Sequence, residues 1–371
     1  LKPFGRDVRL IREKEHYLID LNGERKSAEP LALKPGKAIV ALVPAKQPSS
    51  APYALSLALA DKETLFGVTV ANQPTKDRAV VRYRTACRLE GDVAGARWFV
   101  IDDNDSGQFG DLVLRSDEYA GADQVFPMPD ALFLPGAERA VPFSEFLLVE
   151  GTLTRIQFDP ATSTLKWQSA AAGMGRIALE WAGPVKPRSL VVVGVDDRKD
   201  CAYDLMSAPE VTAVSGRYRL AYGVLAQGRG TSQQRALIVP GKSVPFEVKD
   251  GATTPVKLGA PFTFAFDTQV QGDTAVLVGT SLRVQGRGGE SYARFSDVLQ
   301  PQASARTEGG KVLEPPRAMD PATPAEWSKA ARAVAFPRDL RVKRDGKEAV
   351  RFQLELKSHP LLGGPIRSEW Q

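Results

Sequence analysis

The sequence predicts an all-β (mainly β) chain: two or three β-sandwich or immunoglobulin-like modules in tandem, with one short C-terminal helix. Three observations carry this expectation. Short apolar runs of strand length recur along the whole chain, several with an apolar residue at every second position, the period of a half-buried strand. The 32 glycines and 27 prolines are scattered between those runs, so turns are frequent. At 371 residues the chain exceeds the roughly 250 to 300 that one core usually serves, which calls for more than one unit.

Composition narrows the class further. With 43% hydrophobic and 25% charged residues the chain has the material for real cores. The formal charge is +5, but 49 basic residues stand against 44 acidic ones and the signs alternate along most of the chain. That describes a mixed solvated surface and no nucleic-acid face, with weak attraction to an anionic polysaccharide or to a membrane surface as the alternative. No stretch of about 20 apolar residues occurs, so no membrane span is expected. Leu1 in place of methionine fits a chain whose secretory signal has been removed, and a secreted, periplasmic or cell-surface location is expected. Cys87 and Cys201 are too few and too far apart for a metal finger or a redox pair; they form one disulfide or remain two buried thiols.

The first unit is expected over 1–170. Two apolar runs between Asp7 and Glu24 predict a hairpin or a pair of edge strands. Strands follow at Ala38 to Val43, Tyr53 to Leu59, Leu65 to Val70 and Ala79 to Leu89. The last has period two, with Val81, Tyr83, Thr85, Cys87 and Leu89 on one face and Arg82, Arg84 and Arg88 on the other. That arginine stripe suits a carboxylate or a sulfated sugar, although a solvated outer face explains it as well. After a proline-rich passage from Phe126 to Gly136, a meander of short strands over 143–167 closes the unit at the small-residue run Ser169 to Gly173.

Within this unit, Trp98 to Asp111 is the stretch that points most clearly to chemistry. Four apolar residues, Trp98 to Ile101, deliver the backbone to a knot of acids and glycines. With Asp102 at position one, Asn104 falls at three, Ser106 at five, Gly107 at six and Asp111 at ten, and Gln108 adds a further side-chain oxygen. This approaches a calcium loop, so Ca2+ held by Asp102, Asn104, Ser106, Gln108 and Asp111 is the expected cofactor. The pattern departs from the EF-hand at position twelve, where Val113 replaces the bidentate glutamate. Fewer charged ligands imply weak binding, about 10⁻⁴ to 10⁻³ M, as in extracellular modules. The competing reading is a turn rich in Asn, Asp and Gly that holds no metal.

A second unit is expected over 174–258 and a third over 259–371. In the second, Ile177 to Trp181 and Ser189 to Val195 are strands, and a turn at Ser215-Gly216 launches a strand with Tyr218, Leu220 and Tyr222 on one face. Gln227 to Ser232 reads as a loose hairpin loop, because it lacks the lysine and the downstream helix of a phosphate loop. The dipeptide Asp250-Gly251 predicts a hairpin. In the third, strands are expected around Phe262 to Phe266, Ala275 to Val278, Ser281 to Val284 and Tyr292 to Phe295, with Gly286 to Gly289 as a turn. A helix over 323–336 follows from Thr323 as cap, Pro324 at the first helical position and Glu326 completing the capping box. Asp345-Gly346 predicts a terminal hairpin.

The Gly216-Arg-Tyr218-Arg-Leu220 strand resembles the P-x-G-x-Y-x-L strand of transthyretin-like, carboxypeptidase-regulatory-like β-sandwich modules, with Ser215 where proline or alanine is usual. That resemblance implies a sandwich for the middle unit and no activity. Together with the D-x-N-x-S-G-x-F-x-D segment, the chain is similar to uncharacterised secreted bacterial multi-domain β-rich proteins. This implies an architecture and a location.

Catalytic groups are sparse. Only His16 and His359 are available for a nucleophile-histidine pair, and neither lies in a recognisable motif. The expectation is therefore a non-catalytic structural or adhesive envelope protein that assembles with itself or with other envelope proteins. A carbohydrate-binding accessory protein and a carboxylate-dependent hydrolase stand as alternatives.

Overall fold

A computed structural model describes residues 9–13, 16–20, 31–33, 38–43, 53–59, 63–65, 68–70, 81–93, 96–104, 108–116, 125–159, 162, 164–228, 233–293, 295–296, 298–322 and 337–371. The chain is all-β, and no helix among the described residues is long and apolar enough to cross a membrane. The expected helix over 323–336 lies outside the described residues.

The centre of the molecule is an eight-stranded sheet. Its order is Ala202–Asp204, Pro187–Gly194, Gly216–Gln227, Gln234–Val239, Ser291–Ala293, Arg283–Gln285 and Thr263–Ala265, with Phe246–Val248 also paired to Gly216–Gln227. Smaller sheets supply the opposing layer. One is Glu210–Val214, Met174–Ala182 and Thr253–Gly259; another is Thr268–Gln271, Thr274–Leu277 and Leu340–Lys343. A third is Val312–Ala318, Gln302–Thr307, Val350–Leu356 and Ile366–Arg367. Side chains from all of them meet in one core that includes Ile177, Leu190, Tyr218, Ile238, Phe264, Tyr292, Phe352 and Ile366. That core and the large sheet both continue across Gly259, where the sequence places a boundary between units.

The opposite face of the large sheet is apolar too. Val191, Val193, Ala202 and Ala221 pack there with Leu112, and Leu237 and Val239 pack with Phe126, Tyr222 and Val224. Leu112–Ser116 and Val125–Pro129 form the antiparallel ribbon that brings Leu112 and Phe126 to this face. A third core joins the sheet Val141–Pro142, Ala131–Phe133, Ala96–Ile101, Arg88–Val93 to the meander Phe146–Val149, Thr152–Asp159, Thr164–Ser169.

Several expectations are corrected in one consistent way. The run from Ala79 to Leu89 is two strands: Val81–Thr85 pairs with Tyr53–Leu59, and Arg88–Val93 pairs with Ala96–Ile101. Arg88 therefore leaves the proposed stripe; it binds Glu90 (Nε to Oε1 2.8 Å) and stacks over Phe99. Asp250-Gly251 and Asp345-Gly346 are turns with Gly251 and Gly346 at positive φ, as their chemistry requires. Neither closes a hairpin. Phe246–Val248 pairs with Gly216–Gln227 while Thr253–Gly259 pairs with Met174–Ala182, and Leu340–Lys343 and Val350–Leu356 likewise join different sheets. Turn chemistry fixes a reversal of the chain, whereas burial chooses which sheet receives the next strand.

The face assignment of Tyr218, Leu220 and Tyr222 also changes. The register with Pro187–Gly194 slips between Val191 and Val192, which face Tyr222 and Leu220, and Ala221 is the extra residue of a bulge. Tyr218 and Leu220 enter the main core; Tyr222 turns to the other face and meets the Phe126 ring. The Gly286 to Gly289 turn does close a hairpin, with Val284 opposite Tyr292. The strands Gln302–Thr307 and Val312–Ala318 had no clear sequence signal, because the first alternates alanine with polar residues and the second holds Pro315 and Pro316.

One buried carboxylate ties these layers together. Glu290 is fully buried and accepts from Gly259 N–H (2.6 Å), Gly288 N–H (3.0 Å) and the Tyr292 hydroxyl (2.8 Å). Cys201 is a buried thiol with no disulfide to Cys87, and burial pushes its pKa up to about 12.

Two outcomes are expected. Glu290→Ala strands two buried donors and one part-buried one and lowers unfolding stability in guanidinium by about 3 kcal/mol, against about 1 kcal/mol for Tyr292→Phe. Equal losses in the two variants would show that the glutamate contributes only through the tyrosine. The Cys201 thiol is expected to stay unlabelled by a thiol reagent at pH 8 in native protein and to react on unfolding, with Cys87→Ser removing the second thiol.

Candidate functional site

Ala96–Ile101 alternates as a half-buried strand: Trp98 and Val100 point into the core with Leu132, Leu147 and Ile156. The next residue, Asp102, continues the inward side and is fully buried, as is Asn104. Asp103 N–H returns to Ile101 C=O (2.9 Å), so the chain turns at once instead of extending. Residues 105–107 lie outside the described residues, and Ser106 with them. Beyond them, Gln108 is exposed and Asp111 half-buried at the start of the ribbon, while the Phe109 ring packs edge-on against Phe158.

At the far end of the ribbon stands a residue that sequence reasoning missed. Asp130 is fully buried and lies between Val125–Pro129 and Ala131–Phe133. Its Oδ2 accepts from Gly110 N–H (2.7 Å) and Asp111 N–H (3.3 Å), and its Oδ1 makes a long contact with Asn104 N–H (3.5 Å). Its own N–H donates to Asp111 C=O (3.0 Å), and its C=O accepts from Phe143 N–H (2.6 Å). One carboxyl thus gathers the acidic loop and ties it to the joint between the ribbon and the small sheet. Asn104 braces the same joint, donating from Nδ2 to Asp111 Oδ1 (2.7 Å) and to Met128 C=O (3.3 Å).

The structure therefore brings Asp102, Asn104 and Asp111 together and adds Asp130, while Gln108 sits at the rim. No spacing rule flags Asp130: it is a lone acid after Met128-Pro129, far along the chain from the loop it holds. Its only hint is position, at the end of a strand of the right length to return to the acidic loop.

Electrostatics set what the cluster can do. Burial raises the pKa of Asp130 to about 8, the negative charges of Asp102 and Asp111 add to the rise, and the N–H donors of Asp111 and Asn104 oppose it. A buried carboxylate among like charges is relieved in two ways, by a proton or by a cation. Among the described residues no group of three or more His, Cys, Asp or Glu side chains is arranged to hold a metal. A calcium ion at this loop has to draw on neutral oxygens beside its carboxylates, as calcium sites commonly do.

The other residues weighed for chemistry are dispersed. His16 lies opposite Glu13 in the first hairpin, and His359 packs edge-on against Phe295 with its Nδ1 accepting from Leu361 N–H. Trp98 is buried, Trp181 packs against the main core, Trp167 is exposed, and Trp370 lies beneath Arg306; Trp327 is outside the described residues. No family model, no curated protein and no solved structure matches the chain.

The raised pKa of Asp130 gives a signed expectation. An unfolded aspartate titrates near 4 and the folded one at about 8, so the folded chain holds the extra proton between those values. The stability this group contributes is full below about pH 4 and is lost as pH rises through about 8. In calcium-free buffer, guanidinium unfolding is expected to lose on the order of 4 kcal/mol between pH 5 and 8.5, and Asp130→Asn to lose less than half of that. A variant with the wild-type slope would remove Asp130 as the cause.

Proposed function

We propose that the chain is a non-catalytic structural or adhesive protein of the secreted or cell-envelope class, built to assemble through its β modules and stabilised by calcium at the Asp102 to Asp111 loop. The observation that carries this reading is the way Asp130 is used. Its carboxyl oxygens are taken by backbone N–H groups of the acidic loop, so the group holds chain in place instead of presenting itself to a substrate. The donors present suit a hard cation. Asp102 and Asp111 are the carboxylates of the loop, Ser106 and Gln108 belong to the same short stretch, and Asp130 adds its charge beside them while its oxygens hold the loop backbone.

Calcium in that place neutralises the charge that a proton otherwise has to cancel. A cation filled to ten times its dissociation constant stabilises the folded chain by about 1.4 kcal/mol, enough to pin a loop. Long terminal strands whose edges carry no partner strand among the described residues supply the means of assembly.

Thermal unfolding and calorimetry test the metal directly. Millimolar calcium is expected to raise the melting temperature of the wild type by a few degrees over chelator, with half-saturation at about 10⁻⁴ to 10⁻³ M. Asp102→Ala and Asp130→Asn are expected to lose that response. Absence of heat and of any thermal shift in the wild type at millimolar calcium would end the calcium assignment.

A further inference from the structure

Sheet edges invite pairing with another chain, and several of the longer described edges in this molecule are blunted. From Arg88 onward, the terminal strands that reach six or seven residues are Arg88–Val93, Thr164–Ser169, Thr253–Gly259 and Val312–Ala318. Arg88–Val93 carries Arg88, Glu90, Asp92 and Gly91; Thr253–Gly259 carries Pro255 and Lys257; Val312–Ala318 carries Pro315, Pro316, Glu314 and Arg317. Charge and proline on an edge are the devices that keep strands apart. Thr164–Ser169, with the sequence Thr-Leu-Lys-Trp-Gln-Ser, has no proline, no glycine and the single charge of Lys166. Five of its six residues are exposed, Trp167 at 46% among them. Among the described residues it pairs on one side only, with Thr152–Asp159.

We propose that Thr164–Ser169 is a homotypic docking edge, pairing antiparallel with the same strand of a second copy of this chain about a two-fold axis through Trp167. The choice of occupant follows from the register. A two-fold axis normal to the sheet keeps each side chain on its own face, so cross-strand partners must come from the same face of the strand. Centring on Lys166 opposes two ammonium groups. Centring on Trp167 opposes the two indoles, sets Lys166 against Gln168 twice, and sets Leu165 against Ser169 twice. That register avoids like charges and gains an aromatic cross-strand pair.

The core behind the edge fits the same arrangement. Trp167 lies opposite Ile156 and Leu165 opposite Phe158, so the indole shares a face with Ile156, which is buried in the cluster with Trp98 and Leu132. Two such indoles continue the apolar layer from one copy to the next. This deepens the assembly reading above and rests on it. One edge buries less than the roughly 1,200 Å² of a standard interface, so the association is weak and concentration dependent.

Sedimentation velocity of the full chain with millimolar calcium reads the assembly, and oxidative cross-linking in a Cys87→Ser background reads the register. The wild type is expected to sediment faster as concentration rises, and Trp167→Lys to remain monomeric with an unchanged circular dichroism spectrum. Trp167→Cys is expected to form a disulfide-linked dimer at least ten times faster than Lys166→Cys. Association that persists in Trp167→Lys would overturn this edge and leave the assembly reading standing. A wild type that is monomeric at every concentration would overturn both, and equal cross-linking at the two positions would overturn the register.

Discussion

A long sheet with apolar side chains on both faces has to be covered twice, and that constraint organises the molecule. The inner face of the large sheet is covered by the smaller sheets over 174–367. The outer face, with Val191, Val193, Ala221, Leu237 and Val239, is covered by one narrow ribbon. A two-stranded ribbon has little stability of its own, so it needs anchors at its ends. Asp130 is such an anchor, placed where the ribbon leaves the large sheet and enters the small one. The electrostatic peculiarity of the acidic loop is thus a consequence of its mechanical position: the carboxyl is buried because the joint is buried.

Much of the architecture was legible from residues alone. Alternation and turn frequency gave the class, and the runs at Ala38, Tyr53, Ile177 and Ser189 all fall in strands. Pairing was less legible, for a physical reason. Asp250-Gly251 and Asp345-Gly346 encode a bend, but the partner of the following strand is decided by residues far away in sequence that complete the core. Tyr222 shows the limit of period-two reading, since one extra residue at Ala221 moves every later side chain to the other face.

The candidate site divides in the same way. Asp102, Asn104 and Asp111 are close in sequence and their clustering follows from local spacing. Asp130 belongs to the site only because the intervening chain goes out and returns as a ribbon, which is tertiary information. A sequence pattern describes the ligands a loop can offer; the charge that makes a cation useful comes from burial and from that distant carboxyl.

The parallel pairing of Met174–Ala182 with Thr253–Gly259 has a consequence for how the chain comes to fold. A parallel neighbour cannot be reached by a tight turn, so this pair closes only after the strands between them have been laid down. The core also waits for Ile366, and Thr263 Oγ1 is held by Arg367 C=O at the other end of the unit. Local contacts alone therefore cannot complete it, and folding is paced by the closure of long loops. The core that joins Ile177 to Ile366 is therefore complete only when the last strand is in place.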